Sequence, residues 1–198
     1  MLGDGRIAVA GTDKSLSFAE IAALPQATPE RLAAASEFVP PDATYPNGTH
    51  VAEIEIDPAT GTVALDRYTI VDDFGLTVNP LLLAGQVHGG VAQGVGQALL
   101  ERTVYDSAGQ LLTASFMDYA MPRAGDLTSI AFSTRNVPST TNPLGIKGAG
   151  EAGSIGSCPA VMNAVVDALH RAAGVTHIDM PATPERIWRA LAGTSTNS

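Results

Sequence analysis

The amino-acid sequence predicts an α+β fold in which a mixed β-sheet built from hairpins packs against helices. Two observations predict this fold. Residues 51–57 alternate between apolar and acidic side chains, the pattern of a strand with one buried and one solvent-facing side. Residues 81–102 and 160–169 instead carry apolar side chains at the spacing of helices. At 198 residues, the chain is long enough to bury a substantial core.

The sequence of the N-terminal segment predicts only short elements that do not form an independent fold. Residues 6–10 are expected to form a short strand. Residues 17–24 are expected to form a short helix, with Ser17 as its N-cap and Glu20 completing a capping box. Residues 25–50 contain turn and linker chemistry rich in proline. Because this opening carries little apolar surface, we expect residues 1–44 to continue a preceding domain and residues 45–198 to form the main C-terminal domain.

A β-hairpin follows. The strand over residues 51–57 leads into a turn at residues 57–61, which contains a proline and ends in a glycine that can adopt positive φ. Residues 62–72 return as a second strand rich in Val, Ile, Thr and Tyr. Glu53 and Glu55 are expected to face solvent, because no His or Cys accompanies them at metal-ligand spacing.

A glycine-rich helix is predicted next. Asn79 serves as N-cap and Pro80 occupies the first helical position of a run that extends to Arg102. Each glycine inside a helix costs about 0.8–1 kcal/mol relative to alanine. Five of them therefore imply that a neighbouring backbone or a ligand approaches closely: Gly85, Gly89, Gly90, Gly94 and Gly96.

Several residues of this helix are candidates for ligand contact. Gln86, Gly90, Gln93 and Gln97 fall at spacings of four, three and four, and therefore on one stripe. A glutamine amide offers donors and an acceptor, which suits a polar heterocycle. For Gln86, near the helix N-terminus, the interpretation as a ligand contact is favoured, whereas Gln97 is expected to face solvent.

The second half of the chain predicts a further hairpin over residues 103–115, with its turn at 106–110. The aromatic and methionine cluster over residues 116–123 is expected to line the core, or alternatively to border a pocket. A strand is predicted over residues 130–136. A helix is predicted to begin around residues 157–160 and to end near Gly174, and a short helix spans residues 183–191 before a frayed tail.

Charge and composition exclude several partners. The net charge of −9 and the pI near 4.7 argue against nucleic acid or an anionic membrane as a binding partner. No apolar run reaches the roughly 18 residues that a bilayer span requires. The N-terminus lacks the pattern of a secretory signal, and the lone Cys158 fits a reducing cytoplasm.

The glycine-rich stretch over residues 145–156 is the main catalytic candidate. Five glycines surround a single carboxylate, Glu151, and the stretch leads into a helix. Glycine lets a backbone turn sharply and approach a ligand closely. Glu151 is therefore either a positioned general base beside a bound cofactor or substrate, or a solvated residue in a flexible turn.

Two motifs together resemble a known family. Residues 85–96 read GQVHGGVAQGVG, and residues 147–153 read KGAGEAG. They resemble the C-terminal part of the molybdenum-binding large subunit of the xanthine dehydrogenase, aldehyde oxidase and aerobic carbon monoxide dehydrogenase family, and are closest to carbon monoxide dehydrogenase-like large subunits. The resemblance extends over residues 45–51, 71–75 and 179–185, and so over nearly the whole chain. It implies the fold of the second molybdenum-cofactor-binding domain of the molybdenum hydroxylases.

The resemblance implies a cofactor and a role for each matched residue. The implied cofactor is molybdopterin cytosine dinucleotide, only partly bound by this segment. Glu151 corresponds to the base that takes a proton from the molybdenum-bound hydroxyl group, and Gln86 to the glutamine that contacts the pterin. The other implied cofactor-binding residues are Gly89, Gly90, Gln93, Lys147, Gly148, Ala149 and Gly150. No metal ligand is expected from this chain.

The resemblance also implies partners. Family large subunits are several-fold longer, so the expected partners are the upstream part of the molybdenum subunit, iron–sulfur and FAD subunits, and a small-molecule substrate. Candidate reactions are hydroxylation of an aldehyde, a purine or another N-heterocycle, and oxidation of carbon monoxide. The chain is then a fragment, a split subunit or a remnant.

Two other functions remain open at this stage. The alternative to a catalytic role is a non-catalytic fragment or split subunit that binds partner polypeptide and is inactive alone. A hydrolase that uses Glu151 with Ser154 or Ser157 and a histidine is a weaker alternative, because no nucleophile-elbow pattern is present.

Overall fold

The computed structural model describes residues 2–3 and 5–194, which form two compact units that divide between Pro40 and Pro41. The last residues of the tail predicted to be frayed, 195–198, lie outside the described residues. In its described residues, the first unit contains five short elements: β1 (Leu2–Gly3), β2 (Arg6–Ala8), β3 (Ser15–Ser17), α1 (Phe18–Ala22) and α2 (Pro29–Leu32).

The first unit is a small antiparallel sheet followed by short helices. Its three strands pair in the order β1–β2–β3. The predicted capping box is confirmed, because the backbone N–H of Ser17 donates to Glu20 Oε2 at 2.6 Å and that of Glu20 donates to Ser17 Oγ at 3.1 Å. Strands β1 and β3 and helix α2 lie in stretches for which the sequence predicted no such elements.

The second unit holds the larger sheet and the long helices. Its elements are β4 (Asn47–Ile56), β5 (Val63–Asp73), α3 (Pro80–Leu99), β6 (Ile130–Thr134), α4 (Ala152–Ala173) and α5 (Pro184–Thr194), with a short 3₁₀ turn over Ala124–Asp126. The sheet order is β4–β5–β6; β4 pairs with β5 antiparallel, and β5 pairs with β6 parallel. The mixed sheet packed with helices agrees with the predicted fold class.

The predicted hairpin is confirmed and is longer than expected. The pairing runs from Asn47 opposite Asp73 to Ile56 opposite Val63, with one irregularity between Glu53 and Ile54. Gly61 adopts φ of +73° at the end of the turn. This length brings the start of β4 beside the end of β5, where the candidate site lies.

Helices α3 and α4 pack against each other through their glycines. A Cβ on Gly90 would lie 2.9 Å from the Cα of Gly153, and a Cβ on Gly153 would overlap the carbonyl oxygen of Val87. A Cβ on Gly94 would overlap the hydroxyl of Ser157. The predicted close approach is therefore confirmed at Gly90 and Gly94, where α4 offsets their poor helix propensity. Gly96 instead meets the side chains of Glu101 and Pro122, and an added Cβ at Gly85 or Gly89 would meet nothing within 4 Å.

The core fills the space between these helices and the sheet. It is built from aliphatic and aromatic side chains that are fully or almost fully buried, including Tyr68, Ile70, Val87, Val91, Val95, Val161, Val165, Leu169 and Ile187. Asn79 caps α3 as predicted, accepting a hydrogen bond from the backbone of Leu82 at 3.1 Å. The helix ends at Leu99, three residues before the predicted end.

Of the predictions for residues 103–123, the hairpin turn at 106–110 is confirmed, whereas the core-lining cluster is wrong. The arms of the expected second hairpin form no strands; within them Tyr105 pairs with Leu111 in an isolated bridge. Beside this bridge the backbone N–H of Leu112 donates to the carbonyl of Val104 at 2.8 Å, and the backbone N–H of Val104 donates to Thr113 Oγ1 at 3.1 Å. The cluster over residues 116–123 does not line the core, since Phe116 and Met117 are 81% and 94% exposed.

The start of α4 also differs from its prediction. The helix begins at Ala152, so the glycine-rich stretch is a loop over residues 145–151 and helix thereafter. The packing of Gly153 against α3 accounts for the early start, because this contact compensates for the low helix propensity of glycine. Gly174 ends the helix in the left-handed conformation, as predicted, with φ of +68°.

The C-terminal helix is longer than predicted. Helix α5 continues to Thr194, three residues beyond its predicted end and into the segment predicted to be frayed. Among residues 2–3 and 5–194, no helix is both long and apolar enough to cross a bilayer.

Candidate functional site

The glycine loop over residues 145–151 is fixed at its base to the end of β5. Gly75 pairs with Ile146, the backbone N–H of Leu76 donates to the carbonyl of Gly145 at 2.9 Å, and that of Lys147 donates to the carbonyl of Phe74 at 2.9 Å. A side chain at Gly75, whose φ is +64°, would overlap the carbonyl oxygen of Gly145. The loop is therefore held in place by the main chain and is not a free turn.

An ion pair reinforces this attachment. Lys147 Nζ donates to Asp73 Oδ2 at 2.6 Å, and both side chains are about one-tenth exposed. The other oxygen of Asp73 accepts from the backbone N–H groups of Gly75 and Val137, each at 2.9 Å. Burial alone raises the pKa of Asp73, but the donors from Lys147, Val137 and Gly75 outweigh it and lower the pKa to about 2.

Gln86 connects α3 to the other end of the loop. Its Nε2 donates to the carbonyl oxygen of Gly150 at 2.7 Å, although the two residues are 64 positions apart in the sequence. The side chain remains exposed at the surface. The structure thus brings together Gln86 and the residue that precedes Glu151.

Glu151 lies where the loop becomes helix. It is the N-cap residue of α4, is exposed, and its side chain makes no capping hydrogen bond. The carboxylate therefore does not serve the helix end, which is the usual structural use of an acid at this position. Glu151 also lines the adjoining cavity.

That cavity has a volume of about 370 Å³. Three segments form its wall: the start of β4, the end of β5, and the loop with the first turn of α4. The lining residues are Pro46, Asn47, Gly48, His50, Asp72, Gly148, Gly150, Glu151, Ala152, Ile155 and Gly156. Three of the residues predicted from sequence, Gly148, Gly150 and Glu151, therefore share one cavity.

The remaining predicted residues lie elsewhere. Gly90 is buried against Gly153 and supports the helix pair, whereas Gly89 and Gln93 are exposed on α3 outside the cavity lining. The ammonium group of Lys147 is engaged by Asp73.

Ala149 and Gln97 complete this placement. Ala149 is half-buried and packs against the core. Gln97 is exposed as predicted, and its Oε1 accepts a contact from the thiol of Cys158 at 3.3 Å.

His50 and Asp72 are among the polar residues of the cavity wall that sequence reasoning missed. His50 Nδ1 is 2.9 Å from the hydroxyl of Tyr68, and its Nε2 is 3.5 Å from Asp72 Oδ1. Both residues lie within segments that carry the family resemblance. Their pairing depends on the register of the hairpin, which places Gly48 opposite Asp72 and which spacing alone does not provide.

The hydrolase alternative finds no support in this geometry. Ser157 is fully buried, and its hydroxyl donates to the backbone of Ser154 at 3.4 Å. The hydroxyl of Ser154 donates to the carbonyl of Glu151 at 3.1 Å. Neither serine is activated by a histidine among the described hydrogen bonds, as nucleophilic catalysis requires.

The chain is similar in sequence to a family of cofactor-binding domains and to subunits of known enzymes. The chain matches the family model of the molybdopterin cofactor-binding domain over residues 1–128. It is 38% identical over 160 residues to the carbon monoxide dehydrogenase large chain of Hydrogenophaga pseudoflava, which covers 81% of this chain and 20% of that protein. It is 42% identical over 151 residues to the nicotine 6-hydroxylase large subunit of Paenarthrobacter nicotinovorans. This alignment covers 75% of this chain and 18% of that protein.

The solved structure of a Cu,Mo-CO dehydrogenase in its carbon monoxide-reduced state is similar with a TM-score of 0.76 at 34% identity. That similarity covers 81% of this chain and 20% of the other, and it confirms the predicted fold class. The chain spans about a fifth of the length of the curated relatives it matches. The range matched by the family model includes Gln86 but ends before the glycine loop.

Proposed function

Because this chain belongs to the family of molybdopterin cofactor-binding domains, we propose that it forms one wall of the molybdenum site in the large subunit of a molybdenum hydroxylase. Glu151 is the general base of this site, and Gln86 contacts the pterin. The reaction is the oxidative hydroxylation of an electron-poor carbon in an aldehyde or N-heterocycle, or the oxidation of carbon monoxide. The bound form of the cofactor is molybdopterin cytosine dinucleotide.

The hydrogen bond from Gln86 to Gly150 carries this proposal. It joins the exposed amide of Gln86 on α3 to the residue that precedes Glu151, the one carboxylate of the loop, across 64 positions of sequence. A carboxylate and an amide on a backbone-lined surface suit a site where a polar heterocycle binds next to a proton acceptor.

The described residues fit a molybdopterin cofactor. Gly148 and Gly150 are exposed, and an added Cβ at either would meet nothing within 4 Å, so the peptide groups on this side are open to a ligand. The 22-residue helix α4 begins at the cavity wall, and its N-terminus carries the partial positive charge that favours anionic groups. Gln86 adds a side chain that can both donate and accept.

Each residue then has a defined task. The cofactor, when bound, supplies oxygen transfer and accepts two electrons. The Glu151 carboxylate accepts the proton that is released as the new carbon–oxygen bond forms. Gln86 holds the loop through the carbonyl of Gly150 and so fixes the position of Glu151. The ion pair between Lys147 and Asp73 fixes the other end of the loop.

The whole enzyme needs further polypeptide. We propose that the upstream part of the molybdenum subunit covers the glycine loop and that iron–sulfur and FAD subunits carry the electrons away. The matched relatives, whose names describe a large chain and a large subunit, support such an assembly. A cytoplasmic location is supported by the free thiol of Cys158, which fits a reducing compartment.

The test is Glu151→Gln in the assembled enzyme. The change keeps size and polarity but removes the proton acceptor. Loss of a general base lowers kcat by roughly 10²- to 10⁴-fold, and bound molybdenum and pterin are expected to remain at the wild-type level. Activity and metal content are measured on the same preparation.

Glu53→Gln is the matched control, because Glu53 is an exposed acid on β4 that pairs with Arg67 outside the cavity. It is expected to leave kcat unchanged. Wild-type kcat in Glu151→Gln would refute the assignment of the base. An assembled complex that binds no molybdenum or pterin would instead favour the non-catalytic, partner-binding alternative.

A further inference from the structure

The imidazole ring of His50 occupies the space that a side chain at position 156 would need. A Cβ on Gly156 would lie 2.6 Å from three atoms of that ring, Cε1, Nδ1 and Nε2. Only glycine permits such an approach while the ring keeps its place. A side chain of β4 therefore packs directly on the backbone of α4, five residues after Glu151.

The register of the hairpin holds this ring in place. His50 is opposite Ile70, so Tyr68 and Asp72 are its diagonal neighbours on the same face of the sheet. His50 Nδ1 shares a hydrogen bond of 2.9 Å with the hydroxyl of Tyr68, and its Nε2 lies 3.5 Å from Asp72 Oδ1. The side chain of His50 is 6% exposed. Because both nitrogens have partners and the ring is enclosed, it acts as a rigid spacer between the sheet and α4.

Helix α3 bounds the same turns of α4 on another side. A Cβ on Gly153 would lie 2.8 Å from the Cα of Gly90, and the hydroxyl of Ser157 fills the space beside Gly94. The first turns of α4 therefore lie between two surfaces, the glycines of α3 and the ring of His50. Removing either surface would give the start of the helix room to move.

The start of the helix carries Glu151. The backbone N–H of Ile155 donates to the carbonyl of Glu151 at 2.9 Å, and the hydroxyl of Ser154 donates to the same oxygen at 3.1 Å. Gly156 follows directly, about 7.5 Å along the helix axis from Glu151 at 1.5 Å per residue. Because the side chain of Glu151 makes no capping hydrogen bond, its position depends on this backbone. A shift of the helix at Gly156 therefore moves Glu151 as well.

We propose that His50 is a positioning residue: its ring, held by Tyr68 and Asp72, fixes the start of α4 and through it the carboxylate of Glu151. This inference rests on the proposed function, in which Glu151 is the general base. It requires no contact between His50 and the substrate and no proton transfer by His50. Misplacing a catalytic group by about 1 Å can cost about 100-fold in rate. Loss of the ring is therefore expected to lower kcat by roughly 10- to 100-fold.

The test is a double-mutant cycle between His50→Ala and Gly156→Ala in the assembled enzyme. Benzaldehyde, quinoline and carbon monoxide are the substrates offered, and kcat is expressed per bound molybdenum. Each single variant is expected to lower kcat, with KM and molybdenum content near the wild-type values. In the double variant the added methyl group enters the space that the ring has left. Its kcat is therefore expected to exceed that of Gly156→Ala alone, so the two losses are not additive.

The controls are His170→Ala and Gly193→Ala, which make the same two changes away from the cavity. His170 is exposed on α4, and Gly193 is exposed on α5, where an added Cβ would meet nothing within 4 Å. Both are expected to keep the wild-type kcat. A wild-type kcat per molybdenum in either His50→Ala or Gly156→Ala overturns the proposal. A loss in the double variant equal to the product of the two single losses also overturns it.

Amide hydrogen exchange of the full chain gives a second measurement, which decides if a variant binds no molybdenum. Exchange at residues 155–158 is expected to be faster in His50→Ala, while the amides of β5 keep their rate. An unchanged rate at residues 155–158, or an equal rise throughout the chain, overturns the proposal.

The outcome is separable from the general-base assignment. An inactive Glu151→Gln variant together with wild-type kcat in His50→Ala refutes the role of His50 alone. An active Glu151→Gln variant refutes the base and with it the effect of His50 on catalysis. Faster exchange confined to residues 155–158 in His50→Ala would still show that the ring holds the start of α4.

Discussion

Replacing Lys147 by methionine tests whether the glycine loop is held by its ion pair. The change keeps the length and apolar stem of the side chain but leaves Asp73 as a nearly buried carboxylate with two backbone donors instead of three donors. Lys147 Nζ lies 2.6 Å from Asp73 Oδ2, with the two side chains 11% and 9% exposed. The pKa of Asp73 is expected to rise in the variant, because the donor that lowers it most is gone.

The expected loss of stability in Lys147→Met follows from the burial of the ion pair. Removing one partner of a buried ion pair costs about 3–5 kcal/mol, and we expect the lower end, about 3 kcal/mol, because both groups keep some contact with solvent. The exposed pair Arg67–Glu53, at 3.3 Å with side chains 64% and 49% exposed, serves as the control. Arg67→Met is expected to cost no more than about 1 kcal/mol.

The assay is urea-induced unfolding of the full chain, followed by the fluorescence of Trp188 and by circular dichroism. A double-mutant cycle with Asp73→Asn isolates the coupling between the two side chains. If Lys147→Met lowered the free energy of unfolding by less than about 1 kcal/mol, the ion pair would not stabilise the fold as expected. Equal losses of unfolding free energy in Lys147→Met and Arg67→Met would also contradict the role of burial. A coupling energy near zero would show that Lys147 acts through packing alone.

Three further predictions follow from the same geometry. The folded state lowers the pKa of Asp73 to about 2 from its usual 3.8. The ionised carboxylate therefore stabilises the fold by about 2 kcal/mol above pH 4, and this stabilisation is lost as the pH falls toward 2. In Asp73→Asn, the free energy of unfolding measured over this pH range should lack this dependence. Gly153→Ala is expected to destabilise by about 1–3 kcal/mol, because its Cβ would meet backbone atoms of α3, whereas Gly89→Ala, with nothing within 4 Å, is expected to stabilise by about 0.5–1 kcal/mol; equal effects in thermal unfolding would contradict this packing. Gln86→Leu removes the donor to Gly150 and is expected to speed amide hydrogen exchange in the glycine loop, and exchange at the wild-type rate would argue against the bridge.

Local sequence was sufficient for the elements whose signals lie within a few residues. The alternation over residues 51–57 predicted the hairpin strand, and Ser17 with Glu20 predicted the capping box. Asn79 with Pro80 predicted the start of α3. In each case the side chains that define the element are also the ones that make its hydrogen bonds or its buried side.

Predictions failed where residues distant in the sequence decide the outcome. The early start of α4 depends on the contact between Gly153 and Gly90 of another helix. The exposure of Phe116 and Met117 depends on a core that other elements have already filled. The apolar character of a side chain alone could not predict whether that side chain would be buried in the core.

The sequence by itself determined the family resemblance and the candidate residues Gln86 and Glu151, because both motifs are contiguous and rich in glycine. The tertiary structure decided which candidates meet. It joined Gln86 to the loop, engaged Lys147 with Asp73, and placed Asp72 in the cavity that Glu151 also lines. The physical reason is that these contacts depend on strand register and helix packing, which bring together groups separated by more than sixty positions.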